Sequence, residues 1–171
     1  MDPELLALAV RVLDANRRLG RTIATAESCT GGLVTAALTE IAGASDVVDR
    51  GFVTYSNEAK MEAIGVNQDI LETFGAVSIA VAWAMAQGAL KHSRADTAVA
   101  VTGIAGPGGG SEKKPVGTVV FARAERGGDP DLVVADVRHF GDLGRSEIRR
   151  QAALVALELL MPTAGTATAA P

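Results

Sequence analysis

The stretch Arg21-Thr-Ile-Ala-Thr-Ala-Glu-Ser-Cys-Thr-Gly-Gly-Leu-Val-Thr-Ala-Ala-Leu-Thr-Glu-Ile41 changes character twice. Arg21 to Ala26 is short and rich in small and β-branched residues, which reads as a strand, whereas Leu33 to Ile41 is apolar at helical spacing. Between them, Glu27-Ser-Cys-Thr-Gly-Gly32 leaves room only for a tight turn. A strand feeding a helix in this way is the repeating unit of an α/β sheet. The pattern recurs outward in both directions. Gly51-Phe-Val-Thr-Tyr55 reads as a second strand, running into Ser56-Asn57 as the cap of a helix through Glu58, Lys60 and Ile64. Ser78 caps an alanine-rich helix predicted over Ile79 to Leu90, and Ala95 to Val101 is a third strand that ends in Thr102-Gly-Ile-Ala-Gly-Pro-Gly-Gly-Gly-Ser111. At the N-terminus, Asp2 and Pro3 open a helix whose Leu5, Leu8, Val12 and Leu13 share a face up to Gly20. Towards the C-terminus, Val116 to Arg123 and Leu132 to Phe140 read as strands joined across Glu125-Arg-Gly-Gly-Asp-Pro130. A last helix begins near Arg145 and buries Ile148, Ala152, Leu154, Val155 and Leu159. The expected fold is α/β in three layers, its sheet mostly parallel with one hairpin-linked antiparallel strand. Residues 1–161 form the expected domain, and 162–171, without periodicity or large apolar side chains, an expected disordered tail.

The 171-residue length suits one domain able to bury a core without disulfides or a structural metal. Its single cysteine, Cys29, excludes an internal disulfide framework, and the His and acidic residues show no metal-ligand spacing. The longest apolar run, Ile79 to Ala86, is too short to span a bilayer. The N-terminus carries acids where a secretory signal carries bases, so a cytoplasmic protein is expected. Sixteen basic against 20 acidic residues, a net charge of −4, argue against nonspecific nucleic-acid binding. A homo-oligomer stays open, since the Ala-rich helix from Ile79 suits packing against a second subunit as well as against the sheet.

Ligands of open α/β sheets sit beyond the carboxyl ends of the strands, where Glu27 to Gly32, Tyr55 to Lys60 and Thr102 to Ser111 emerge. Ser28, at a strand-to-helix turn, could present a nucleophilic hydroxyl beside the N–H groups of Thr30, Gly31 and Gly32, although a serine there is more often a helix cap. It is not the serine of a GxSxG elbow, because Ala26 and Thr30 stand where that motif has glycine. His92 and His139 lack a carboxylate partner at any telling spacing. Lys60 is the better base: Met61, Ala63 and Ile64 could desolvate it, and burial lowers an amine's pKa. Tyr55 could relay or orient the proton. Taken alone, the spacing more often means an exposed helix lysine and a strand tyrosine in the core. The glycine-rich segment is neither a Walker A loop nor a GxGxxG fingerprint, yet its N–H groups could approach a phosphate. Arg145 and Arg149, four apart, share a helix face. Cys29 reads as a small packing residue.

Four segments in this order, Ala26-Glu-Ser-Cys-Thr-Gly-Gly32, Tyr55-Ser-Asn-Glu-Ala-Lys60, Val101-Thr-Gly-Ile-Ala-Gly-Pro-Gly-Gly-Gly110 and Lys114-Pro-Val-Gly-Thr118, resemble the CinA C-terminal domain family, and the likeness extends from Leu5 to Leu160. The resemblance implies a three-layer α/β/α fold with a mixed five-stranded sheet. It implies hydrolysis of nicotinamide mononucleotide to nicotinate mononucleotide and ammonia, without metal or cofactor. Ser28 would be the nucleophile, Lys60 the base and Tyr55 the assisting hydroxyl. Thr30, Gly31, Gly32, Thr102, Gly103, Ala105 and Gly106 would hold substrate, and Arg145 its phosphate. Where the family commonly has Gly-Asp-Arg, this chain reads Gly141-Asp-Leu-Gly-Arg145, so Arg149 stays open as the phosphate ligand. Many relatives carry an additional N-terminal pyrophosphatase-like domain, so a stand-alone module is expected here. The alternative is a noncatalytic nucleotide-binding module of the same fold.

Overall fold

The computed structural model describes residues 1–163. The expected tail therefore lies, from residue 164 onward, outside the described residues. Among the described residues, five strands form one sheet in the order β2-β1-β3-β4-β5: β1 (Ile23–Glu27), β2 (Val48–Val53), β3 (Thr97–Gly103), β4 (Thr118–Glu125) and β5 (Ala135–His139). β1 pairs parallel with both β2 and β3, while β4 runs antiparallel to β3 and β5 antiparallel to β4. Four strands thus share one direction and β4 alone is reversed, the mixed sheet that was expected.

Helices cover both faces. α1 (Pro3–Arg18), α2 (Leu33–Thr39) and α6 (Arg145–Leu159) close one core with Val99, Val101, Val119 and Phe121 of the sheet. α3 (Asn57–Ile64), α4 (Gln68–Phe74) and α5 (Ile79–Lys91) close the other, against Ala24, Ala26, Ala98, Ala100 and Val120. The alternation of Ala24/Ala26 with Ile23, and of Ala98/Ala100 with Val99/Val101, follows from the two-residue period of a strand: small residues face α5 and larger ones face α1 and α6. β1 is buried along its whole length and β3 along all but its last residue, because both faces are covered.

Several boundaries differ from the sequence reading. β1 starts at Ile23, since the Arg21 and Thr22 side chains bond outward to Glu125 and Asp96. α4 was not anticipated. Its seven residues are too short for a helical period to show, although Asn67 caps it by accepting from Asp69 N–H and Gly75 follows it at φ +78°. The strand expected from Leu132 begins only at Ala135, and Leu132, Val133 and Val134 are exposed. Apolar residues in a broad loop there mimic a strand. Among the described residues, no helix is long and apolar enough to cross a membrane.

The scarcity of large side chains lets backbones approach closely. Gly88 of α5 lies directly against the Ile64 carbonyl at the end of α3, where an added methyl would collide with main chain. Helix propensity alone gives Gly88→Ala a gain of ~1 kcal/mol. The collision reverses that sign: Gly88→Ala is expected to lose about 1–3 kcal/mol, as overpacking does, read as a lower midpoint in urea unfolding.

Candidate active site

The carboxyl ends of β1, β2 and β3 meet where the strand order changes direction, the crevice that doubly wound sheets use for ligands. The ladders continue one residue past β1: Thr54 N–H donates to Glu27 O at 2.8 Å, and Ser28 N–H donates to Val101 O at 2.9 Å. Ser28 is thereby fixed between the ends of both neighbours.

Turning from β1 into α2 requires satisfying helix N–H groups in a buried place. Ser28, for which a helix cap was the alternative to a nucleophile, does not do it. The N-cap position is Gly32, in the left-handed region at φ +96°, and it has no capping side chain of its own. Glu27, fully buried, reaches over the turn and accepts from Gly32 N–H (3.0 Å), Val34 N–H (3.1 Å), Thr35 N–H (2.8 Å) and the Thr35 hydroxyl (2.8 Å). Ser28 is thus released from capping. Glu27 was missed as a functional residue because it stands five residues before the N-cap, beyond local capping patterns, although a carboxylate at a helix N-terminus is what the helix dipole favours.

Lys60 lies in α3, whose N-cap Ser56 accepts from Ala59 N–H at 3.0 Å. Its side chain is 1% exposed and folds back over the helix start. Nζ donates to Thr54 O at 2.8 Å and Tyr55 O at 3.2 Å, reaches Ser56 O at 3.5 Å, and stands 3.1 Å from Ser28 Oγ. Burial pushes the Lys60 pKa below its ordinary value. Of the expected desolvating neighbours, Ile64 is buried and Met61 partly so, but Ala63 is exposed. Ser28 Oγ also lies 3.4 Å from Tyr55 O, to which it can donate. Burial pushes the Cys29 thiol up to about 12, so it stays protonated and inert as a nucleophile near neutrality.

A cavity of about 270 Å³ opens above Ser28 and Lys60. Of the expected residues, Ser28, Tyr55, Lys60, Thr102, Gly103, Ala105, Gly106 and Arg145 line it. Thr30, Gly31 and Gly32 do not. The Gly32 amide is taken by Glu27, and the Gly31 amide donates to Ser28 O at 3.0 Å. Ala76, Val77 and Ile104 complete an apolar wall, and Thr102 Oγ1 donates to Ala76 O at 2.8 Å, tying the wall to the end of β3. No sequence pattern marked Ala76 and Val77, which come from the loop between α4 and α5.

The tyrosine takes an unexpected part. Its ring is 58% exposed, and its hydroxyl accepts from Arg145 Nη2 at 2.9 Å; Ser28 and Lys60 meet its main-chain carbonyl instead. Arg145 also donates to Gly106 O at 2.8 Å, which holds the guanidinium on the cavity rim. Arg149 faces the other side of the nucleophile turn, where it donates to Cys29 O and Thr30 O at 3.1 and 2.9 Å. One cation faces the cavity, and the other grips the main chain.

The CinA C-terminal domain model matches residues 5–164. This chain belongs to that family. It is 52% identical over 159 residues to the nicotinamide-nucleotide amidohydrolase PncC of Escherichia coli K12, covering 93% of this chain and 94% of that protein. A CinA-like protein of Mycolicibacterium paratuberculosis is 54% identical over 153 residues, which are 88% of this chain but 35% of that longer protein. Among solved structures, the competence/damage inducible protein CihA from Agrobacterium tumefaciens superposes with a TM-score of 0.89 at 54% identity, covering 94% of this chain and 95% of that one.

Within this CinA domain the Glu27 cap is a stability element as well as a device for freeing Ser28. Glu27→Gln turns one acceptor into an NH2 that faces N–H donors. The loss is expected to be about 2–4 kcal/mol, from two unsatisfied buried amides, measured by urea denaturation. Tyr55→Phe removes the partner of Arg145 and leaves every Lys60 contact in place. It is expected to raise KM severalfold with kcat little changed, measured by steady-state kinetics on the substrate proposed next.

Proposed function

We propose that this protein is an amidohydrolase that converts nicotinamide mononucleotide to nicotinate mononucleotide and ammonia, with Ser28 as nucleophile and Lys60 as base. The observation that carries the reading is a buried amine 3.1 Å from a serine hydroxyl at the floor of a cavity with an arginine on its rim. The similarity to PncC of Escherichia coli supports the choice of substrate.

An amide resists direct attack by water, so dividing the reaction through an acyl-serine lowers each barrier. Neutral Lys60 takes the proton of Ser28 while Oγ attacks the carboxamide carbon. The tetrahedral oxyanion that forms needs donors. Cys29 lines the cavity beside Ser28 and supplies its main-chain amide, a donor worth about 3 kcal/mol in comparable sites. The Lys60 ammonium then gives its proton to the leaving nitrogen, and ammonia departs. Water, deprotonated by the regenerated amine, attacks the ester and releases the acid and Ser28.

The other end of the substrate is anionic, and Arg145 is its partner. α6 begins beside Arg145 at Gly144 with no capping side chain, so its first N–H groups add to the attraction for a phosphate. The apolar wall of Ala76, Val77 and Ile104 suits the flat face of the pyridine ring. Tyr55, by holding Arg145 and lending its carbonyl to the Lys60–Ser28 pair, serves both ends.

Ser28→Ala and Lys60→Ala are each expected to lower ammonia release from nicotinamide mononucleotide by at least about 10³-fold with unchanged circular dichroism; turnover near the wild-type rate in either would remove the assigned roles. Because only the neutral amine accepts a proton, kcat/KM is expected to rise with pH as Lys60 deprotonates. Its midpoint should lie below the ordinary lysine value of 10.5, since burial lowers it. A rate that falls over that limb would contradict a lysine base.

A further inference from the structure

β5 ends the sheet, and among the described residues no strand lies beyond it. Which of its main-chain groups face outward follows from the ladder with β4. Arg123 N–H donates to Val134 O and Phe140 N–H to Gly117 O, both at 2.9 Å. Antiparallel pairs alternate between bonded and unbonded, so the pairs between these two, Val119 with Arg138 and Phe121 with Asp136, are bonded as well. Ala135, Val137 and His139 therefore turn their N–H and C=O groups away from β4, an open row of the kind that accepts another strand. Side-chain charge normally blunts such an edge, and here the charges form a pattern. Asp136 and Arg138 are two residues apart and share a face, pair with each other at 2.7 Å, and keep 38% and 53% of their side chains exposed. If a second copy pairs antiparallel about a two-fold axis at Val137, each Asp136 comes opposite Arg138 of the other copy. Centred on His139 instead, Asp136 meets Asp142; centred on Ala135, both charges meet the apolar Val134 and Leu132. At the other edge of the sheet, in β2, Asp49 and Arg50 are adjacent and lie on opposite faces, so no two-fold register sets one against the other.

We propose that the outer edge of β5 is the interface of a symmetric dimer of this chain, in which the two β5 strands pair antiparallel about Val137 and join two five-stranded sheets into one. Val137 exchanges main-chain bonds with its own counterpart, and Ala135 does so with His139. Two Asp136–Arg138 contacts across the axis, at unbonded pairs where side chains approach most closely, then fix the register. The same register gives cover to apolar side chains that one copy leaves exposed. Val137 meets Val137, Val134 comes opposite Phe140, and Leu132 reaches the segment 141–143 that carries the exposed Leu143. Helix α5, the other surface considered for a second subunit, is committed within its own chain: Val81, Ala82, Met85, Ala86 and Ala89 are buried in the core between it and the sheet. Since β1, β2 and β3 all run the same way as β5, the axis turns the two active-site cavities towards opposite ends of the joined sheet. The dimer uses no reacting group, so it stands or falls independently of the amidohydrolase reading.

The test is sedimentation velocity on wild type, Val137→Pro, Asp136→Arg and Arg138→Asp at about 1 to 200 μM, a range that brackets small interfaces, with urea unfolding of each as the control for folding. Wild type is expected to move from the mass of one chain towards twice that mass as concentration rises. Val137→Pro deletes an N–H that takes no part in the ladder with β4, so it affects the edge alone. Each single variant should weaken association at least about tenfold, the charge variants by setting like charges opposite each other. Asp136→Arg leaves two cations on this face and Arg138→Asp two anions, so an equimolar mixture of these two is expected to recover the dimer. Charges that served only to keep the edge soluble would give no such recovery. A wild type that stays a single chain over the whole range overturns the proposal. So does a dimer unchanged in Val137→Pro, which would put the contact on another surface and which decides the matter even if a charge variant fails to fold. Folded charge variants that stay monomeric when mixed exclude the Val137 register and the proposal with it.

Discussion

Burying one lysine amine is the constraint around which the carboxyl edge of the sheet is arranged. An ammonium taken out of water costs several kcal/mol unless donors and acceptors replace the lost hydration. Lys60 meets this demand mostly with main chain: the carbonyls of Thr54, Tyr55 and Ser56 surround Nζ, and Ser28 Oγ stands 3.1 Å away. The Thr54 and Tyr55 carbonyls are available because they lie between the end of β2 and the first turn of α3, whereas Ser56 O also accepts from Lys60 N–H at 3.2 Å. The bond from Thr54 N–H to Glu27 O then places them next to Ser28. Parallel pairing of β1 with β2 is thus what brings the Lys60 amine within 3.1 Å of the Ser28 hydroxyl, although 32 residues separate them.

The glycine-rich, aromatic-poor composition is explained mostly by packing and only partly by ligand contact. Gly103 and Gly106 line the cavity, yet an added methyl on either would strike Val119 or Val116 first. Their lack of a side chain lets the loop after β3 fold back on the segment that enters β4. Gly51 is likewise pressed against Thr35 of α2. Small residues draw the helices onto the sheet, and the same closeness leaves only a narrow crevice where the strands diverge. Gly108, with open space around it, is the glycine of the loop most free to approach a ligand.

What could be read in the sequence was what is local. Asp2 and Ser78 cap as expected because N-capping involves neighbours two or three residues away. Ser28 and Lys60 stood out because each follows a strand end directly, and the mixed sheet followed from strands alternating with helices. The cap formed by Glu27 was hidden because its carboxyl reaches five to eight residues ahead, past the serine that local rules prefer. The separate tasks of Arg145 and Arg149 were equally hidden. A four-residue spacing puts both on one face of α6, and only the tertiary contacts to Gly106 and to Cys29 tell them apart. The placement of the Tyr55 side chain was hidden for a similar reason, since its position near Lys60 in sequence is expressed through its carbonyl while its hydroxyl faces Arg145.

The same positions of heavy atoms serve both protonation states of the pair. A neutral Lys60 amine has two hydrogens, which the Thr54 and Tyr55 carbonyls accept, and its lone pair is then free for the Ser28 proton at 3.1 Å. A protonated amine has a third hydrogen, which points along that same line towards Ser28 Oγ. In that state the serine hydroxyl can turn its own proton to Tyr55 O at 3.4 Å. In the proposed mechanism, proton transfer needs a hydroxyl rotation and no movement of Nζ, so the carbonyl shell that meets the demand of burial would also keep the reorganisation of the reaction small.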